Sequence, residues 1–177
     1  MRIWPLILAL WVLPATVAAQ TQDVCGLLGR HAGWSEDLKA AQEKWRVSPG
    51  TILAVIDQES RFNAAARGAG AGGGNPSRNF GFAQANLTTW NWFLRDTGKP
   101  SGDRTDFALS ADFVGWHFAT MERRIGASRD NTTAQYLAYK MGEGGYKRGA
   151  SAGARALASR IAARGRAFDG RLAGCGF

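Results

Sequence analysis

A glutamate stands where a helix should place a hydrophobic residue. Three, four and seven positions before Glu59 lie Ile56, Val55 and Ile52, offsets that share one face of an α-helix. Removing an ionised carboxylate from water without a partner is expensive. Desolvation and the negative end of the helix dipole both favour its protonated form. A carboxylic acid that keeps its proton near neutral pH is the general acid that glycosidic cleavage requires. The pattern leaves a second reading open, a buried salt bridge from Glu59 to Arg61 or Arg67. Asp57 falls off the stripe and has Arg61 four residues ahead, which predicts a surface ion pair and no chemical role. The two histidines, His31 and His117, and the two cysteines form no metal-ligand spacing, so no metal or cofactor is expected.

The elements that must hold Glu59 read as helices throughout. Apolar residues recur at three and four, and no alternating β-branched run appears. A helical pattern runs from Trp34 to Trp45, opened by Ser35, with Leu38, Ala41 and Trp45 on one side. Ser48 followed by Pro49 predicts a capped start for the helix that carries Glu59 to about Ser60. Further helices are expected from about Asn86 through Leu94, then over 110–125, 132–141 and 150–168. Between Glu59 and the next helix, residues 65–79 hold the run Arg67 to Gly74, which has little to bury and is expected to be a flexible loop. It bears no phosphate-binding signature. The fold class is all-α in one domain, with no internal repeat.

The chain has 177 residues and a net charge of +8. Arg2, the apolar run Ile3 to Leu13, Pro14 and the small residues Val17, Ala18 and Ala19 have the layout of a signal peptide covering residues 1–19, cleaved after Ala19. The remaining residues 20–177 would form the domain. The apolar run is too short to span a bilayer comfortably, so the mature protein is expected to be secreted across the inner membrane into the periplasm, without a transmembrane segment. A basic chain favours acidic partners, and export points to carboxylate-bearing wall polymers or lipid surfaces more than to nucleic acid. Cys25 and Cys175, an even pair near the two ends, predict a disulfide in an oxidising compartment. The arginines 155, 160, 164, 166 and 171, opposite Leu157, Ile161, Phe168 and Leu172, read as the basic face of a last helix docked by its apolar side. Trp90, Trp92, Phe93, Trp116 and Phe118 read as core packing more than as sugar-stacking platforms.

Three segments in order resemble one family. Gln58 to Asn63, with Glu59, Ser60 and Arg61, resembles the first motif of the lytic transglycosylases with a soluble-lytic-transglycosylase-like (SLT), lysozyme-like domain. Gly81, Phe82, Ala83 and Gln84 look like that family's Gly-Leu-Met-Gln motif, and Tyr136 to Gly144 looks like its Ala-Tyr-Asn-x-Gly segment. The resemblance covers residues 47–147. It implies that Glu59 is the single catalytic acid and base, that Ser60 orients it, that Gln84 lines the cleft, and that Tyr139 bonds to the glutamate or the sugar. Phe82, Lys140 and Glu143 are further candidates for the cleft. Lys140 stands in place of the family asparagine, and Phe82 and Ala83 replace the usual Leu and Met. The implied reaction cuts peptidoglycan glycan strands between N-acetylmuramic acid and N-acetylglucosamine and leaves 1,6-anhydro ends.

Two rivals share this fold: a hydrolytic muramidase, which needs a second carboxylate, and a wall-binding module without turnover. A nucleic-acid-binding protein is disfavoured by the leader and by the lack of any such motif. A monomer is expected. Recruitment by cell-envelope assembly machinery has no support in the sequence.

Overall fold

A computed structural model describes residues 23–68 and 79–177. The expected signal peptide and the centre of the Gly-rich loop lie outside the described residues. Among these, the chain forms seven helices: α1 (Val24–Arg30), α2 (Trp34–Trp45), α3 (Pro49–Ser60), α4 (Leu87–Asp96), α5 (Phe107–Ile125), α6 (Thr132–Arg148) and α7 (Ala152–Gly174). Among the described residues the only β-type pairings are two isolated bridges, Arg67 with Phe80 and Phe80 with Ala85. The all-α class is therefore observed.

Most helix starts follow from local chemistry. The Ser48 side chain accepts from the Thr51 backbone N–H, with Pro49 in the first turn. Asn86, Asp106, Asn131 and Ser151 cap α4, α5, α6 and α7 in the same way, each satisfying a backbone donor that the helix leaves unpaired. The start of α2 differs from expectation. Its cap is Gly33, without a side-chain bond, and not Ser35. Tertiary stacking fixes the entry instead, with Trp34 lying 4.0 Å from the His31 ring and 3.7 Å from Phe107. The last two helices also run further than their periodicity suggests. A kink at Gly142 joins the end of α6 to its first part, and α7 continues to Gly174, beside the disulfide.

The helix bearing Glu59 lies at the centre of the molecule. It packs chiefly on α7 and also touches α2 and α5, and every residue from Pro49 to Asp57 is buried. Its approach to α7 depends on two glycines. A Cβ on Gly50 would stand 2.3 Å from the Gly165 carbonyl oxygen, and one on Gly165 would press on Thr51. The Gly50 N–H donates to Asp169 Oδ1 at 2.7 Å across this contact.

Enclosure on all sides overturns the expectation for Asp57. It makes no surface pair with Arg61. It is 5 % exposed and accepts from Arg164 of α7, with Nη1 2.7 Å from its Oδ2. The basic face of α7 is accordingly not all in water: Arg155, Arg160 and Arg166 are exposed, but Arg164 is turned inward. Ile161, Phe168 and Leu172 form the docked side. The aromatic residues Trp90, Phe93, Trp116 and Phe118 are buried in the core, and Trp92 packs edge-on against Trp116. Cys25 and Cys175 form a disulfide that ties α1 to the end of α7.

Candidate active site

The C-terminal end of α3 opens into a cleft. Two adjoining cavities of about 400 and 490 Å³ share Glu59, Asn79, Gln84 and Lys140 as lining residues. The first extends along Phe113 and His117 of α5 and along Tyr139 to Gly142 of α6. The second extends towards Gln58 and Arg67. The kink at Gly142 closes the stretch of α6 that forms one wall.

Glu59 is well enclosed, with only 7 % of its side chain exposed. Its Oε1 accepts a hydrogen bond from the Tyr136 hydroxyl at 2.7 Å. Its Oε2 has Lys140 Nζ at 3.9 Å, on a side chain that is 54 % exposed. The ion-pair contact is therefore with Lys140, and neither Arg61 nor Arg67 supplies it. A carboxyl group anchored through one oxygen leaves the other to face a ligand, the arrangement needed to give and then take a proton.

The phenol bonded to Glu59 is Tyr136 and not Tyr139. The Tyr139 hydroxyl donates to the Ala83 carbonyl, which fastens α6 to the turn at Gly81–Gln84. Burial first, and the Glu59 carboxylate second, push both tyrosine hydroxyls above the ordinary phenol range. Each stays a proton-bearing donor at any working pH.

Gln84 lines both cavities and also holds the turn together. Its backbone is left-handed, with φ 47°, a conformation uncommon for a residue with a side chain. Its Nε2 donates to the Ala66 and Gly81 carbonyls, each at 2.9 Å. Ser60 is buried, and its hydroxyl donates to the Ile56 carbonyl within α3 at 3.1 Å; it makes no bond to Glu59. Phe82 is packed with Trp34 and Phe107 in an aromatic cluster and does not line the cleft. Glu143 lies outside the cavities too. It pairs with Lys147 and Arg124, whose hydrogen bonds hold its carboxyl below the usual range.

Two cleft residues escaped the sequence reading. Tyr136 lies inside the Tyr136–Gly144 segment, and its position one helical turn before Tyr139 is the signal that marks it. The two rings stack with centroids 6.3 Å apart. His117 lies in an apolar stretch that reads as core, and nothing local distinguishes it. Its ring is 4.8 Å from Tyr139, and burial pushes its pKa down to about 4.

One enclosed glutamate at the end of a central helix, facing a groove walled by other helices, defines a lysozyme-like domain. The chain belongs to the transglycosylase SLT domain family, whose model matches residues 4–175. It is thereby a transglycosylase-type protein acting on peptidoglycan. No curated protein and no solved structure matches it. No helix among the described residues is long and apolar enough to cross a membrane.

Proposed function

We propose that the chain is an exported lytic transglycosylase that cleaves the bond between N-acetylmuramic acid and N-acetylglucosamine without water. The observation that carries this reading is the solitary carboxylate. Among the described residues lining the two cavities, Glu59 alone is acidic. A hydrolase with paired carboxylates needs a second one at roughly 5–9.5 Å to act as nucleophile or to activate water. A reaction whose nucleophile belongs to the substrate needs only one.

In that reaction Glu59 protonates the departing glycosidic oxygen as the C1–O bond breaks. The resulting carboxylate takes the proton of the muramic acid 6-hydroxyl, and O6 bonds to C1. The products are a free 4-hydroxyl on one strand and a 1,6-anhydro end on the other, and the glutamate regains its starting proton. Tyr136 holds Oε1, so that Oε2 performs both transfers. Tyr139 and Gln84 shape the groove by fixing the turn that forms its other wall. The leader-like residues 1–19 would deliver the enzyme to the periplasm, where the wall polymer lies.

The test is mass spectrometry of purified peptidoglycan digested with the mature protein, beside a Glu59→Gln control. Fragments one water lighter than hydrolytic products, absent from the control, are the expected result. Ordinary reducing ends would replace this mechanism with hydrolysis. No release by folded protein would favour a binding module.

A further inference from the structure

We infer that Arg67 and Lys140 form a carboxylate-recognising subsite beside Glu59, so that the enzyme selects glycan carrying a free carboxylate next to the bond it cuts. This rests on the reading of Glu59 as the catalytic acid. The cavity of about 490 Å³ is lined by both cations together with Glu59 and the amides of Gln58, Asn79 and Gln84. When Glu59 carries the proton it must deliver, that wall has two positive charges and no negative one. Among the described residues lining it, every other polar side chain is an amide, which cannot neutralise them.

Arg67 is held in place. Its guanidinium stacks on the Phe80 ring at 5.1 Å, and its backbone pairs with Phe80. A cation on an aromatic face keeps its edge donors available. Lys44, Lys99, Arg124, Arg129, Lys147 and Arg164 each have a carboxylate partner. Arg67 has none among the described residues, and the nearest for Lys140 is the catalytic glutamate at 3.9 Å. A carboxylate entering between them gains charge-assisted hydrogen bonds from both.

The wall polymer offers such a group in two places. The lactyl ether of muramic acid ends in a free carboxylate once its peptide has been removed. The peptide, where present, carries carboxylates of its own. The experiment therefore uses three polymers: peptide-free strands, the same strands with their lactyl carboxylates converted to primary amides, and intact peptide-bearing strands. Binding is measured by titration calorimetry in a Glu59→Gln background, and cleavage is measured with the active enzyme. Both are repeated with Lys140→Gln, Arg67→Gln and the charge-keeping Lys140→Arg.

Amidation should weaken binding and kcat/KM by roughly five- to tenfold per lost contact, the effect of a charge-assisted hydrogen bond partly screened by water. Added salt should shrink the difference. Lys140→Gln and Arg67→Gln should each reduce the discrimination, and Lys140→Arg should retain most of it. Tightest binding to peptide-bearing strands, lost in the same variants, would assign the carboxylate to the peptide. Equal binding of free and amidated strands, with no preference for peptide-bearing ones, would overturn the subsite, as would discrimination unchanged in both glutamine variants. Preserved discrimination in binding without anhydro products would instead refute the transglycosylase reading and leave the subsite standing.

Discussion

Replacing His117 with glutamine should flatten the acid side of this protein's stability profile. The imidazole lies on α5 among Phe113, Trp116 and Tyr139, and its Nδ1 is buried with no hydrogen-bond partner. Glu59 and Lys140 line the same cavity, but burial is what lowers the pKa, from 6.5 to about 4. The folded protein keeps the ring neutral where the unfolded chain would protonate it. Between those two values the unfolded state binds more protons, so stability falls as the pH drops through that window. At about 1.4 kcal/mol per unit, the loss between pH 7 and pH 4 is roughly 3 kcal/mol. Urea unfolding followed by tryptophan fluorescence, at several pH values across this range, measures it. Paired carboxylates such as Glu122 and Glu143 also lose stabilisation on acidification, since their hydrogen-bonded cations lower their pKa values. They do so equally in both proteins, so the difference between wild type and His117→Gln isolates the imidazole. Parallel profiles, or a His117 NMR titration near 6.5, would refute the reasoning.

Arg164→Met should destabilise the fold by about 2–4 kcal/mol, because it strands the buried Asp57 carboxylate; adding Asp57→Asn should recover most of that, as read from urea midpoints. Tyr136→Phe should lower kcat roughly ten- to a hundredfold by removing a hydrogen bond to an ionisable partner, with the melting temperature little changed. Tyr139→Phe should act mainly on stability, since its hydroxyl is bonded to the Ala83 carbonyl. Gly81→Ala should cost more than about 1 kcal/mol: φ is 81° there, and the new Cβ would stand 2.0 Å from the Arg104 carbonyl oxygen. Thermal melts check the last two, and a loss of turnover should accompany Gly81→Ala because Gln84 is held by the same turn.

What the sequence determined by itself is the part governed by neighbours in the chain. Ser48 before Pro49, the caps at Asn86 and Ser151, and the recurrence of apolar residues at three and four specify helices because a cap or a turn involves residues only a few positions apart. The pairing of Cys25 with Cys175 was legible for a different reason: the chain has two cysteines and one way to join them. Glu59 was legible because an acid on an apolar stripe contradicts its local setting.

The tertiary structure decided what surrounds that acid. Asp57 and Glu59 lie two residues apart on a helix that is buried up to Asp57 and opens into the cleft at Glu59, so their roles depend on what arrives from elsewhere. Asp57 meets Arg164 from a helix 107 residues further on, and Glu59 meets Tyr136, 77 residues away. The sequence could place Tyr136 and Tyr139 one turn apart, but which hydroxyl reaches the carboxylate depends on how α6 rotates against α3. That rotation is set by the packing of α6 on α5 and on α7 and by the fastening of Tyr139 to the Ala83 carbonyl. None of these has a local signature, because close packing is a property of surfaces brought together and not of the segments that supply them.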